Sequence, residues 1–88
     1  MEKSSIENIL QELEVALSAL HDQQNMKARR EAHRIRPDLT SEDLLNPDNF
    51  AEIIADPNFM YEDGLAAGIL SAKIAVRAKL KDLLLSCS

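Results

Sequence analysis

The stretch Ile6-Glu7-Asn8-Ile9-Leu10-Gln11-Glu12-Leu13-Glu14-Val15-Ala16-Leu17-Ser18-Ala19-Leu20 decides the fold. Ile6, Leu10, Leu13, Leu17 and Leu20 recur at alternating spacings of four and three. That is the rhythm of a helix burying one stripe. Ile9 and Ala16 widen the stripe beyond a strict coiled-coil seam, so it suits packing against more than one neighbour. Ser4 or Ser5 is placed to cap the start, and Ser4 with Glu7 matches the reciprocal Ser-x-x-Glu capping box. In register, the next stripe positions are Gln24, Lys27, Glu31 and Arg34. The apolar seam is therefore expected to end near His21.

Nothing between Gln23 and Arg36 breaks a helix, so the spacing predicts one over about residues 5–35. Pro37 ends it, because the residue before a proline is pushed out of the α region. A second long helix is predicted over about 61–85, with Leu65, Ile69, Ala72, Val76, Leu80 and Leu83 on one face. Lys79 and Lys81 near its end suit the helix dipole. Gly64, Gly68 and Ala72 form a neighbouring strip of small residues that would let another helix come close. Between the long helices, residues 38–60 read as short helices joined by capped turns. Thr40-Ser41-Glu42-Asp43, Asn46-Pro47 and Asp56-Pro57 each place a capping side chain at a helix start.

Composition agrees with this reading. Leu, Ala and Ile supply 13, 11 and 7 residues against two Val, no Trp and one Tyr, a balance that favours helix over strand. Two glycines leave too few residues for hairpin turns or for a phosphate-cradling loop. The expected fold is all-α, one domain over residues 1–88. Two long helices form an antiparallel hairpin, a linker of short helices packs across one end, and dimerisation completes a helical bundle. Ile6, Leu10, Leu13, Leu17 and Leu20 with Ile69, Val76, Leu80 and Leu83 are the expected core and interface.

Charge is unevenly distributed behind the net value of −5. Residues 38–63 carry eight carboxylates and no cation, while Lys27, Arg29, Arg30, Arg34 and Arg36 stand against Glu31 alone. The basic stretch 27–36 is expected to pair with the acidic middle, in the same chain or in a second copy. The alternatives are an acidic protein partner, or nucleic acid or an anionic membrane. The acidic pI near 4.9 and the lack of aromatic residues near the run weigh against nucleic acid.

No catalytic or metal-binding pattern emerges. His21 and His33 lack the Glu-x-x-His spacing of di-iron bundles. A calcium loop starting at Asp56 would need an oxygen ligand at Met60, a glycine at Tyr61 and a glutamate at Ala67. Cys87 is the single cysteine, so neither an internal disulfide nor a multi-Cys zinc site is expected. The first residues lack the basic and apolar regions of a secretion signal, and no apolar run approaches a membrane span. The expectation is a cytoplasmic, non-catalytic helical protein without a cofactor, which binds a protein partner as an adaptor and self-associates as a homodimer. The alternative is a nucleic-acid-associated regulator using residues 27–36.

Overall fold

The computed structural model describes residues 3–86, and Cys87 lies outside them. Helix α1 spans Lys3–Ile35, α2 spans Ala51–Ile54 and α3 spans Pro57–Ser86. Two 3₁₀ turns, Asp43–Leu45 and Pro47–Asn49, stand between α1 and α2. The described residues contain no strand. The two long helices pack against each other, with the short elements folded between them at one end.

Pro37 ends α1 as its sequence position implies. The Leu39 N–H then donates to the Arg36 carbonyl at 3.3 Å, and His33 Nε2 donates to the Leu39 carbonyl at 2.9 Å. These bonds turn the chain back so that Leu39 is buried. Thr40 and Asp43 form a reciprocal capping box: the Asp43 N–H donates to Thr40 Oγ1 and the Thr40 N–H to Asp43 Oδ2. Helix α3 starts at Pro57 rather than near residue 61. The Asp56 carboxylate accepts the Phe59 N–H at 2.9 Å, and Pro57 needs no N–H partner in the first turn. A separate short helix at this point is therefore absorbed into α3. Asn46 precedes Pro47 in the same pattern, yet its side chain makes no capping bond. Ser4 and Ser5 lie within the first turn of α1, because the helix already includes Lys3.

The buried core sits at the closed end of the hairpin. Ile53 is fully buried and meets Ala28, Ala32, Leu39 and Phe59, with Leu44 and Phe50 packed against the group. The stripe of α1 that faces its neighbours passes from Leu17 through Gln24 to Ala28 and Ala32. It leaves the register that would place Lys27 and Glu31 inward. Small alanine side chains leave room for the branched Ile53 and the ring of Phe59, which a larger residue would displace. Gln24 is 7 % exposed, and its Nε2 donates to the Glu62 carbonyl at 3.0 Å and to the Glu62 carboxylate. That pair ties α1 to α3 where the core ends.

Beyond this closed end the molecule is a two-helix rod. Its extents are 51 × 18 × 16 Å, and α1 at 1.5 Å per residue accounts for the long dimension. The radius of gyration is 17.1 Å, against about 12 Å for a compact chain of this length. The accessible surface is 6189 Å², roughly 1,000 Å² above the scaling value for a folded protein of this mass. Of the expected core, Ile6, Leu10, Leu17, Ile69 and Leu80 are half-buried along the rod, whereas Leu13, Leu20, Val76 and Leu83 are exposed. Gly64 and Gly68 face open space, so no described helix packs closely against them. Lys79 and Lys81 lie before the last turn of α3, which carries no basic residue.

Because Ile53 is the pivot of the core, Ile53→Ala should cost about 2–5 kcal/mol in urea unfolding. Leu45→Ala, at a position 67 % exposed, should stay within about 0.5 kcal/mol of the parent. Equal effects of the two would contradict this placement of the core.

Candidate functional site: an apolar hairpin face and a cationic patch

Two surfaces stand out, and both follow from how α1 and α3 are turned toward each other. The α1 line that meets α3 runs through Leu10, Leu17 and Gln24, and the α3 line through Ala66, Lys73 and Leu80; all six are buried or half-buried. On α1, Ile9, Leu13 and Leu20 are rotated to one side of that line. On α3, Leu65, Val76 and Leu83 are rotated in the same sense. In an antiparallel pair, equal rotations on the two helices bring residues to the same face of the hairpin. These six side chains are between 37 % and 50 % exposed. Ala16 and Ala72 flank them, and no charged residue interrupts the strip until Lys27.

The opposite face is different in chemistry. There Glu14 and Arg77 form an ion pair at 3.2 Å across the hairpin. Glu7, Gln11, Ser18 and Asp22 share that side of α1, and Lys81 that side of α3. Leu70 and Ile74 are exposed there as well, set among these polar neighbours. The hairpin is thus apolar and uncharged on one face, and mixed and salt-bridged on the other.

The basic stretch is divided by the structure. Arg34 reaches the Asp56 carboxylate with Nη2 at 2.9 Å and 3.0 Å, and its Nε meets Glu31 at 3.0 Å. Arg36 forms a paired contact with Asp38 at 2.8 Å and 2.9 Å and a further ion pair with Glu52. The Arg36 guanidinium also lies 5.6 Å from the centre of the Phe50 ring. The linker's own carboxylates therefore neutralise the last two cations of the run. Lys27, Arg29 and Arg30 are exposed, and no described carboxylate lies within ion-pair distance of them. Sequence spacing could not separate the two groups, because the separation depends on where the linker folds.

Among the described residues no group of three His, Cys, Asp or Glu side chains is placed to hold a metal ion. The groove between the linker and the long helices, bordered by Arg29, Leu45, Pro47 and Asp63, encloses about 210 Å³, below the usual range of small-molecule sites. Two larger depressions follow one flank of α1 near Gln11 and Val15 and have a single helix for a wall. Both histidines have structural partners: His33 holds the turn at Leu39, and His21, half-buried, lies 3.4 Å from the Asn25 amide. Asp56 and Glu62 from the acidic middle are engaged in the cap and the Gln24 tie. No described helix is long and apolar enough to cross a membrane.

The carboxylates of the closed end make stability acid-sensitive. The Phe59 N–H, and after it Arg34, hold Asp56 below its ordinary value, and Arg36 does the same for Asp38 and Glu52. A carboxylate lowered in the folded state stabilises it above the ordinary carboxylate range, and the contribution is lost as pH falls through the lowered values. The melting temperature should therefore be level from pH 7 to 5 and fall below about pH 4. Asp56→Asn retains a capping side chain without the charge, so its melting point should lie below the parent's at pH 7 and converge with it in acid. A pH-independent gap would remove charge from the explanation.

No protein-family model matches this chain, and neither a curated protein nor a solved structure is significantly similar to it.

Proposed function

We propose that this chain is a non-catalytic helical interaction module, an adaptor that binds protein through the apolar face of its hairpin. The observation that carries this reading is the set of six half-exposed aliphatic side chains brought to one face by the antiparallel pairing of α1 and α3. A continuous uncharged apolar face is costly to leave in water, and faces of this kind mark protein contacts. Partner helices recognise them by laying their own apolar stripe alongside.

The cations Lys27, Arg29 and Arg30 lie at the linker end of the hairpin. They act in this reading as a steering surface that sets association rate and partner choice more than affinity. The same three residues support the second reading, a nucleic-acid-associated regulator. Two of the five cations in the run are engaged by linker carboxylates, which leaves fewer charges for phosphates than the sequence offers. Protein binding is therefore the reading the geometry favours, in a cytoplasmic setting.

Photo-crosslinking in cells separates the two readings. A benzoyl-phenylalanine at position 13 or 76 should yield adducts with protein, whichever protein that is, and one at position 15 should yield few. No protein adduct from either face position would contradict the module reading. Adducts with nucleic acid, lost when Lys27, Arg29 and Arg30 are changed to alanine, would favour the regulator.

A further inference from the structure

Resting on the protein-binding reading above, we infer that the occupant of the apolar face is a second copy of this chain. The two hairpins stack face to face with their linker ends at opposite ends of a four-helix bundle. Three observations meet in this assignment.

The first is area. The chain exposes roughly 1,000 Å² more surface than a compact protein of its mass. A stable interface of standard size takes about 800 Å² from each partner. A single copy laid on the face would remove most of the excess, and the 18 × 16 Å cross-section of the rod becomes that of a bundle.

The second is the chemistry of the strip. Ile9, Leu13, Leu20, Leu65, Val76 and Leu83 present no charge to select a charged partner, but they match their own copy. A two-fold contact is isologous, so each residue meets an equivalent apolar surface on the partner and the assembly closes at two copies. Broad apolar stripes on both helices are what the core of such a bundle requires.

The third is the position of the free cations. Lys27 and Arg30 stand on α1 where the apolar strip stops, beside the linker. Copies stacked with linkers at the same end would bring four cations together, with no described carboxylate in ion-pair distance of them. With the linkers at opposite ends, the two Lys27 positions lie about 38 Å apart along the bundle at 1.5 Å per residue. That is several Debye lengths at 0.1 M salt, so repulsion disfavours only the same-end arrangement.

The test is the mass of the untagged chain by light scattering after gel filtration, up to 100 μM. The expected result is twice 9.8 kDa. Leu13→Glu and Val76→Glu should lower it to the monomer mass with helical circular dichroism retained, since both side chains are exposed in one chain. Val15→Glu, on another flank of α1, should remain dimeric. A parent that stays at 9.8 kDa overturns the assignment even if the face variants fail to fold, and so does a mass beyond two copies. Dissociation by Val15→Glu as readily as by Leu13→Glu would place the contact elsewhere and overturn it too. For orientation, spin labels on Arg29→Cys in a Cys87→Ser background should lie roughly 44 Å apart between copies, from the same rise per residue along α1. A separation under about 30 Å would overturn the opposed arrangement. A monomeric parent that still gives adducts with other proteins from position 13 would refute the second copy and leave the module reading standing. A monomer without protein adducts would refute both.

Discussion

The burial of Ile53 and Phe59 against Ala28 and Ala32 is the contact on which the rest of the structure depends. It joins the linker and both long helices in one small core, and it needs alanine on α1 because only a short side chain leaves space for both neighbours. The polar contacts around it serve the same junction. Asp56 starts α3 at the place where Phe59 can turn inward, and Arg34 reaches the same carboxylate from the end of α1. Gln24 and Glu62 close the core on its open side. The reversal of chain direction is thus held by caps and ion pairs surrounding a few apolar side chains.

This junction leaves much of the apolar surface of the long helices uncovered. A hairpin of two helices consumes one narrow line on each, whereas both helices carry apolar residues well beyond that line. On α1 and α3 the excess falls in the same rotational sense, so antiparallel pairing places it on one face. The other face receives Glu14 and Arg77 and remains polar. The fold therefore produces a two-sided rod, with one side polar and salt-bridged and the other carrying half-exposed aliphatic side chains. The closed end adds direction, because its uncompensated cations lie beside one end of the apolar strip only.

The long helices were legible in the sequence because the four-three spacing from Ile6 to Leu20 and the stop at Pro37 are local signals. The Asp56-Pro57 start was legible as turn chemistry, but not its consequence that α3 begins there without a break. The core was less legible. Ala28 and Ala32 carry little hydrophobic signal, and Gln24 is polar, so the inward line after Leu17 resembles a solvated helix when read by composition. Leu39 and Ile53 sit in segments with no periodicity of their own. The apolar stripes were visible, but whether Leu13, Leu20, Val76 and Leu83 face the neighbouring helix or solvent depends on a helix rotation set by the closed end. The basic run was visible as a unit, and its division into Arg34 and Arg36 on one hand and Lys27, Arg29 and Arg30 on the other depends on where the acidic linker lands.

One junction holds the hairpin, and in the dimer we propose its apolar arms gain stability from association. Residue-resolved hydrogen exchange at several protein concentrations tests it most directly, since exchange reports local opening free energy along the chain. The slowest exchange is expected at Ala28, Ala32, Ile53 and Phe59 at every concentration. Amides near Leu10 and Leu80 should exchange faster in dilute solution and slow as concentration rises. Protection that is uniform along both helices at all concentrations, or greatest in the arms of a dilute sample, would contradict it.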